Sequence, residues 1–131
     1  VGAVFVVDER RRAYHNGGSM SESKNTVHTK GLHIAREIAR ASSRWPTSYA
    51  YLSDQARRAS SSVVLNFAEG RGRASRKERE RFFTIARGSV CETQACIELA
   101  CTLDLVDAGW SRALVSECIH VSRALVKWGA R

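Results

Sequence analysis

Proline is almost missing from this chain: Pro46 is the only one in 131 residues. An interior proline deletes a helix donor and costs about 3 kcal/mol, so a chain without them can sustain long helices. Aromatic residues make up only 8% of the sequence, and no run of about 20 apolar residues is present to span a membrane. The four cysteines, Cys91, Cys96, Cys101 and Cys118, form no CxxC or CxxH pair. Three recur at steps of five, which turns successive thiols about 140° apart on a helix and keeps them from converging on a metal. They read as small core residues in a reduced, cytoplasmic protein, since a secreted chain of this size would show disulfide spacing.

What is present in excess is positive charge, and it is unevenly placed. The formal net charge is +8. Residues 1–52 carry eight basic and four acidic side chains (+4), residues 53–88 nine and four (+5), and residues 89–131 four and five (−1). A basic balance concentrated in one segment implies an anionic partner, of which nucleic acid is the commonest for a soluble protein. Arginine kept for solubility on an ordinary helical surface is the plainer alternative.

Along the chain, residues 1–27 show no period of 2 or 3.6 and read as a disordered or non-native extension, with translation expected to begin at Met20, the only methionine. The apolar run VGAVFVV precedes its arginines, the reverse of an export signal. Residues 28–131 read as one all-α domain. A first helix over about 28–43 carries Leu32, Ala35, Ile38 or Ala39, and Ser42, and stops before Trp45-Pro46. The second carries Leu52, Ala56, Ala59, Val63 and Phe67, with Arg57 and Arg58 off the stripe. The third has a heptad seam of Phe82, Ala86, Ser89, Thr93, Cys96, Ala100 and Leu103, and a second apolar side of Phe83, Val90, Ile97 and Cys101. The fourth places Leu114, Cys118, Val121, Leu125 and Trp128 on one seam, beside Val115, Ile119, Ser122 and Val126. Four such helices on short links predict an antiparallel up-down-up-down four-helix bundle. The spare apolar stripes on helices three and four suggest a homo-oligomer, or else two helices packed on both sides.

The hairpin between helices two and three is the candidate site. Gly70 suits the left-handed position after a helix ending near Glu69, and Ser75 with Glu78 matches a capping box. From 71 to 87 there are seven basic residues and two acids, a net +5. Arg57, Arg58, Arg71, Arg73, Arg76, Lys77 and Arg81 are therefore the candidate nucleic-acid contacts, with phosphates held near a helix N-terminus. Gly70-Arg71-Gly72-Arg73 is no phosphate loop of the Walker type, because no strand precedes it and no GK[ST] follows. Asn66 and Glu69 are expected to point inward, satisfying helix ends and the facing chain near Arg87 and Ser89, with Glu92 in a similar role. Gly88 in mid-helix costs about 1 kcal/mol relative to alanine, which a close helix crossing would offset. Glu117 and His120 form a single ExxH pair on an exposed face, where di-iron bundles need two, so neither a metal nor a cofactor is expected. No catalytic triad or dyad can be assembled, and the chain reads as a non-enzyme.

The residues Gln55-Ala56-Arg57-Arg58-Ala59, the element Ser62…Asn66…Glu69-Gly70…Arg73…Ser75, and Phe82…Ile85-Ala86-Arg87-Gly88-Ser89…Glu92 resemble the "four helix bundle protein" family. That family includes proteins encoded in intervening sequences of bacterial 23S ribosomal RNA genes and is similar to the accessory variability determinant of diversity-generating retroelements. The resemblance covers roughly residues 28–128 and departs at Val64, where the family usually has a proline that kinks helix two. It implies a ring-like homopentamer, and RNA or DNA and a reverse transcriptase as partners. A scaffold that binds other proteins and no nucleic acid is the alternative. Salt dependence separates the two, because phosphate contacts weaken steeply with ionic strength.

Overall fold

The computed structural model describes residues 22–131. It is an antiparallel bundle of four helices, α1 (Glu22–Ser42), α2 (Ala50–Gly72), α3 (Arg76–Thr102) and α4 (Ala108–Gly129). Each helix packs on its neighbours in the order α1, α2, α3, α4 and back to α1. The readings for residues 1–21 lie outside the described residues. Residues 22–27, expected to be part of the extension, are helical, and Val27 is fully buried. The first turn of α1 is polar in sequence, so its helical character leaves no apolar period to detect.

Helices α2 and α4 bury the seams predicted for them, apart from Trp128, which is half-buried. The core face of α1 is Val27, Gly31, Ile34, Ile38 and Ser42, while Leu32 and Ala35 are only half-buried. Gly31 lets α2 come close: a Cβ there would stand 3.0 Å from Cγ2 of Val64. Val64 sits in an unbroken helix of 23 residues, where the family's proline would remove a backbone donor. On α3 Ala86, Ser89, Thr93, Cys96 and Ala100 of the predicted seam are buried, together with Phe83, Val90 and Ile97, while Phe82 and Leu103 are half-buried. The predicted second side of α3 is thus mostly core and cannot be spare surface. What remains open on the outer faces is Tyr51 and Leu65 on α2, Ile85 and Leu99 on α3, and Ile119 and Val126 on α4.

The two ends of the bundle are built differently. Between α1 and α2 the chain passes Pro46 and a 3-10 turn, Thr47–Tyr49. Helix α3 ends in a Schellman arrangement, with Leu105 N–H donating to Ala100 O (2.9 Å) and Asp104 N–H to Cys101 O (3.1 Å). Asp104 takes the left-handed conformation, φ 59°, that glycine usually fills there. Asp107 caps α4 by accepting from Trp110 N–H at 2.8 Å. At the other end, α2 and α3 are joined by Arg73–Ser75 alone. Burial pushes the Cys118 thiol up to about 12 and raises that of Cys96, as suits core residues. Cys91, expected in the core, is exposed.

Candidate nucleic-acid interface

The α2–α3 turn is tighter than its sequence suggests. Helix α2 runs on through Gly72, and Gly70 is an ordinary helical residue, not a left-handed cap. Its missing side chain serves a close approach: a Cβ at Gly70 would lie 2.6 Å from Cε1 of Phe83 and 3.1 Å from Cβ of Phe82. That contact lets the Phe83 ring enter the core directly beneath the turn. There it meets Phe67 of α2 and Trp128 of α4, with ring centroids 5.7 and 5.9 Å away, and Phe67 stands 5.2 Å from Trp128. Three rings from three helices close this end of the bundle. Ser75 caps α3 by accepting from Glu78 N–H at 3.1 Å. The reciprocal half of the capping box is not made, because the Glu78 carboxylate turns to Arg81 (3.2 and 3.3 Å), whose hydrogen bond holds it below the usual carboxylate range.

The seven predicted contacts fall in two places. Arg71, Arg73, Arg76, Lys77 and Arg81 all lie on the turn or on the first turns of α3. Arg57 and Arg58 do not join them. They sit 13 residues or more before Arg71, about 20 Å along the helix axis, where Arg57 donates to Ser42 Oγ (2.9 Å) and Arg58 pairs with Asp54 (3.1 Å). Within the cluster, Arg73 pairs with Glu69, Arg76 with Glu80 and Arg81 with Glu78, all exposed ion pairs three or four residues apart. Such exposed pairs contribute little to stability. Arg71 and Lys77 meet no carboxylate among the described residues.

The last turn of α4 completes the site. A cleft of about 270 Å³ opens between it and the start of α3, lined by Arg71, Arg76, Arg79 and Arg131, with Phe83 and Trp128 and one acid, Glu80. Four arginines against one glutamate leave it at +3. Arg79 is fixed by donating to Ala74 O (2.7 Å) and Arg73 O (3.2 Å). The Arg71 guanidinium lies over Phe67 and Trp128, 5.7 and 5.5 Å from the ring centres, and that of Arg131 lies 5.0 Å from Trp128. Arg73 and Arg81 stack on Phe82 at 5.0 and 4.5 Å. Sequence reading missed Arg79, Trp128 and Arg131 as site residues. The available signal was topological: in an antiparallel bundle the end of the fourth helix returns to the second turn.

The remaining motif residues separate into two groups. Asn66 Nδ2 donates to Ser62 O (2.9 Å) and Ser62 Oγ (2.8 Å), and Ser62 Oγ meets Ser89 Oγ at 2.7 Å, a polar chain linking α2 to α3. Glu69 is exposed and serves Arg73, so it is not an inward residue. Glu92 accepts from Gln55 on the exposed side of the same helix pair. Arg87 is exposed, and Gly88 faces open space, so no helix crossing within the chain accounts for it. Glu117 is half-buried against α1, 3.9 Å from Lys30 and 3.4 Å from His33, while His120 is exposed. The ExxH pair is therefore split between a helix contact and the surface. Among the described residues no three His, Cys, Asp or Glu side chains gather to hold a metal, and no helix is long and apolar enough to cross a membrane.

The sequence pattern of the 23S rRNA-intervening sequence proteins matches residues 23–127. Among solved structures, a protein of unknown function from the S23 ribosomal protein family of Bacteroides thetaiotaomicron has the same fold. It superposes with a TM-score of 0.71 at 18% identity, covering 80% of this chain and 99% of its own. No curated protein matches the chain.

Proposed function

The chain belongs to the 23S rRNA-intervening sequence protein family, and from that premise we propose that it is a non-enzymatic, cytoplasmic, oligomeric bundle that binds RNA or DNA at its α2–α3 end. The observation that carries this reading is the convergence of Arg71, Arg73, Arg76, Lys77, Arg79, Arg81 and Arg131 on one end, around a cleft of net charge +3. Phosphates would be held by fixed guanidinium forks and by the cap region of α3. The oligomer is supported by Leu65 on α2 and Ile85 and Leu99 on α3, which stay exposed, and by the open space at Gly88, which admits another chain. By resemblance the assembly is a pentamer and a reverse transcriptase is a further partner. That same outer face favours the second reading, a scaffold that binds protein only.

The test is a salt titration of nucleic-acid affinity for the protein and for a variant with Arg71, Arg73, Arg76 and Lys77 replaced by glutamine. Each phosphate contact adds about −0.7 to −0.9 to the slope of log K against log salt, so the variant's slope should be shallower by about three units. Light scattering should give the same oligomer mass for both. Unchanged affinity and slope would leave the scaffold reading standing, and a monomer mass for the unaltered protein would remove the oligomer.

A further inference from the structure

We infer that the cleft beside Trp128 receives one unpaired nucleotide, so that the α2–α3 end takes single-stranded nucleic acid in preference to duplex. This rests on the reading of that end as a nucleic-acid surface and specifies which form of nucleic acid it takes.

Size is the first observation. A cleft of about 270 Å³ can admit a nucleotide but no part of a stacked duplex beyond its phosphates. A single strand can splay a base out of its stack, whereas a duplex must first break pairs and stacking to do so. The second is the chemistry of the walls. A guanidinium packed on an aromatic face keeps its N–H edge free for phosphate, and Arg71 is packed on both Phe67 and Trp128. Arg131 lies over the same indole, and a base entering the cleft takes its place on the ring while the displaced guanidinium turns to the phosphate. The third is repetition. Phe82, with Arg73 and Arg81 over its ring, makes a second aromatic and arginine pairing on a different face of α3, one residue from Phe83. Two such platforms around one turn suit the flexible backbone of a single strand, whose bases stack on aromatic rings without regard to sequence.

The test uses the full chain with three labelled probes of equal length: an oligouridine strand, an oligothymidine strand and a blunt DNA duplex. Both single strands should bind about tenfold more tightly than the duplex, the scale of one or more stacked bases. Indole emission should fall when either strand binds, and this response should vanish in Trp128→Phe, because Trp45 and Trp110 lie at the opposite end of the bundle. Trp128→Phe keeps a ring in the core contact. Arg71→Gln with Arg131→Gln tests the cleft from exposed positions and should weaken single strands more than duplex. The better-bound of the two strands identifies the natural source as RNA or DNA. Equal affinity for strands and duplex with unchanged emission would overturn the inference while leaving nucleic-acid binding intact. Failure to bind any probe would overturn both.

Discussion

Both ends of this bundle have an open cleft beside a tryptophan, yet they differ in charge and in how tightly they close. At the α1–α2 and α3–α4 end a cleft of about 410 Å³ is lined by Arg40 and Arg44 against Glu37 and Asp107, two charges of each sign, with Trp110 beside them. At the α2–α3 end four arginines face Glu80 alone. The loose end is made by a proline, a 3-10 turn and a left-handed aspartate. The tight end is made by a glycine pressed against a phenylalanine. The basic cleft therefore lies at one end, and it coincides with the end that has the shortest link, Arg73–Ser75, and the close approach of Gly70 to Phe83. A site that must present guanidinium groups at fixed spacing gains from such a frame.

The largest expected effect sharpens the packing half of that contrast. Gly70→Ala drives a methyl against a ring that is 3% exposed and flanked by two other rings. Overpacking costs about 1–3 kcal/mol, less about 1 kcal/mol regained in helix propensity, so urea unfolding should show a net loss of up to about 2 kcal/mol. Gly72→Ala, two residues on and facing open space, should gain stability instead. A gain at both positions would mean that the tight end has slack.

A smaller effect comes from the loose end. Asp104 occupies a left-handed position at φ 59°, where a side chain is disfavoured. Asp104→Gly should raise stability by about 0.5–1 kcal/mol in the same unfolding measurement, because the Schellman hydrogen bonds are kept and the strain is removed. A loss would show that the aspartate side chain stabilises the turn in a way its geometry does not reveal.

These two residues also show where sequence reading reaches its limit. The helix seams of α2 and α4 were legible because their apolar residues follow steps of four and three with few competitors. The α3 seam was legible in part: Ala86, Ser89, Thr93, Cys96 and Ala100 are buried as predicted, but Phe82-Phe83, Ser89-Val90 and Cys96-Ile97 put small or apolar residues side by side, and period alone cannot choose between stripes one residue apart. Phe83 is buried in place of Phe82, and at the other two pairs both members are buried, so the core face of α3 is wider than one seam. Gly70 looked like a cap because a glycine after Glu69 is ambiguous until the Phe83 ring is in place. The basic residues of the turn could be read as a cluster from their spacing. Trp128 and Arg131 join it only through the return of α4, a contact spanning some fifty residues of chain that no local pattern encodes.

The smallest effect is the one that decides whether the two ends differ in function. Arg40 and Arg44 are exposed, like the arginines of the turn, and they line a cleft with a tryptophan of its own. If net charge alone drew nucleic acid to this protein, removing two positive charges would matter equally at either end. If phosphates sit at the α2–α3 end, Arg71→Gln with Arg76→Gln should make the salt slope shallower by about 1.5 units, from two contacts of about 0.7–0.9 each. Arg40→Gln with Arg44→Gln should leave the slope unchanged and lower affinity less than about twofold, because charges at the other end are screened over a Debye length of about 10 Å. The two double variants have the same net charge, so the comparison isolates position. Equal slopes in the two variants would dissolve the distinction and spread binding over the whole basic surface.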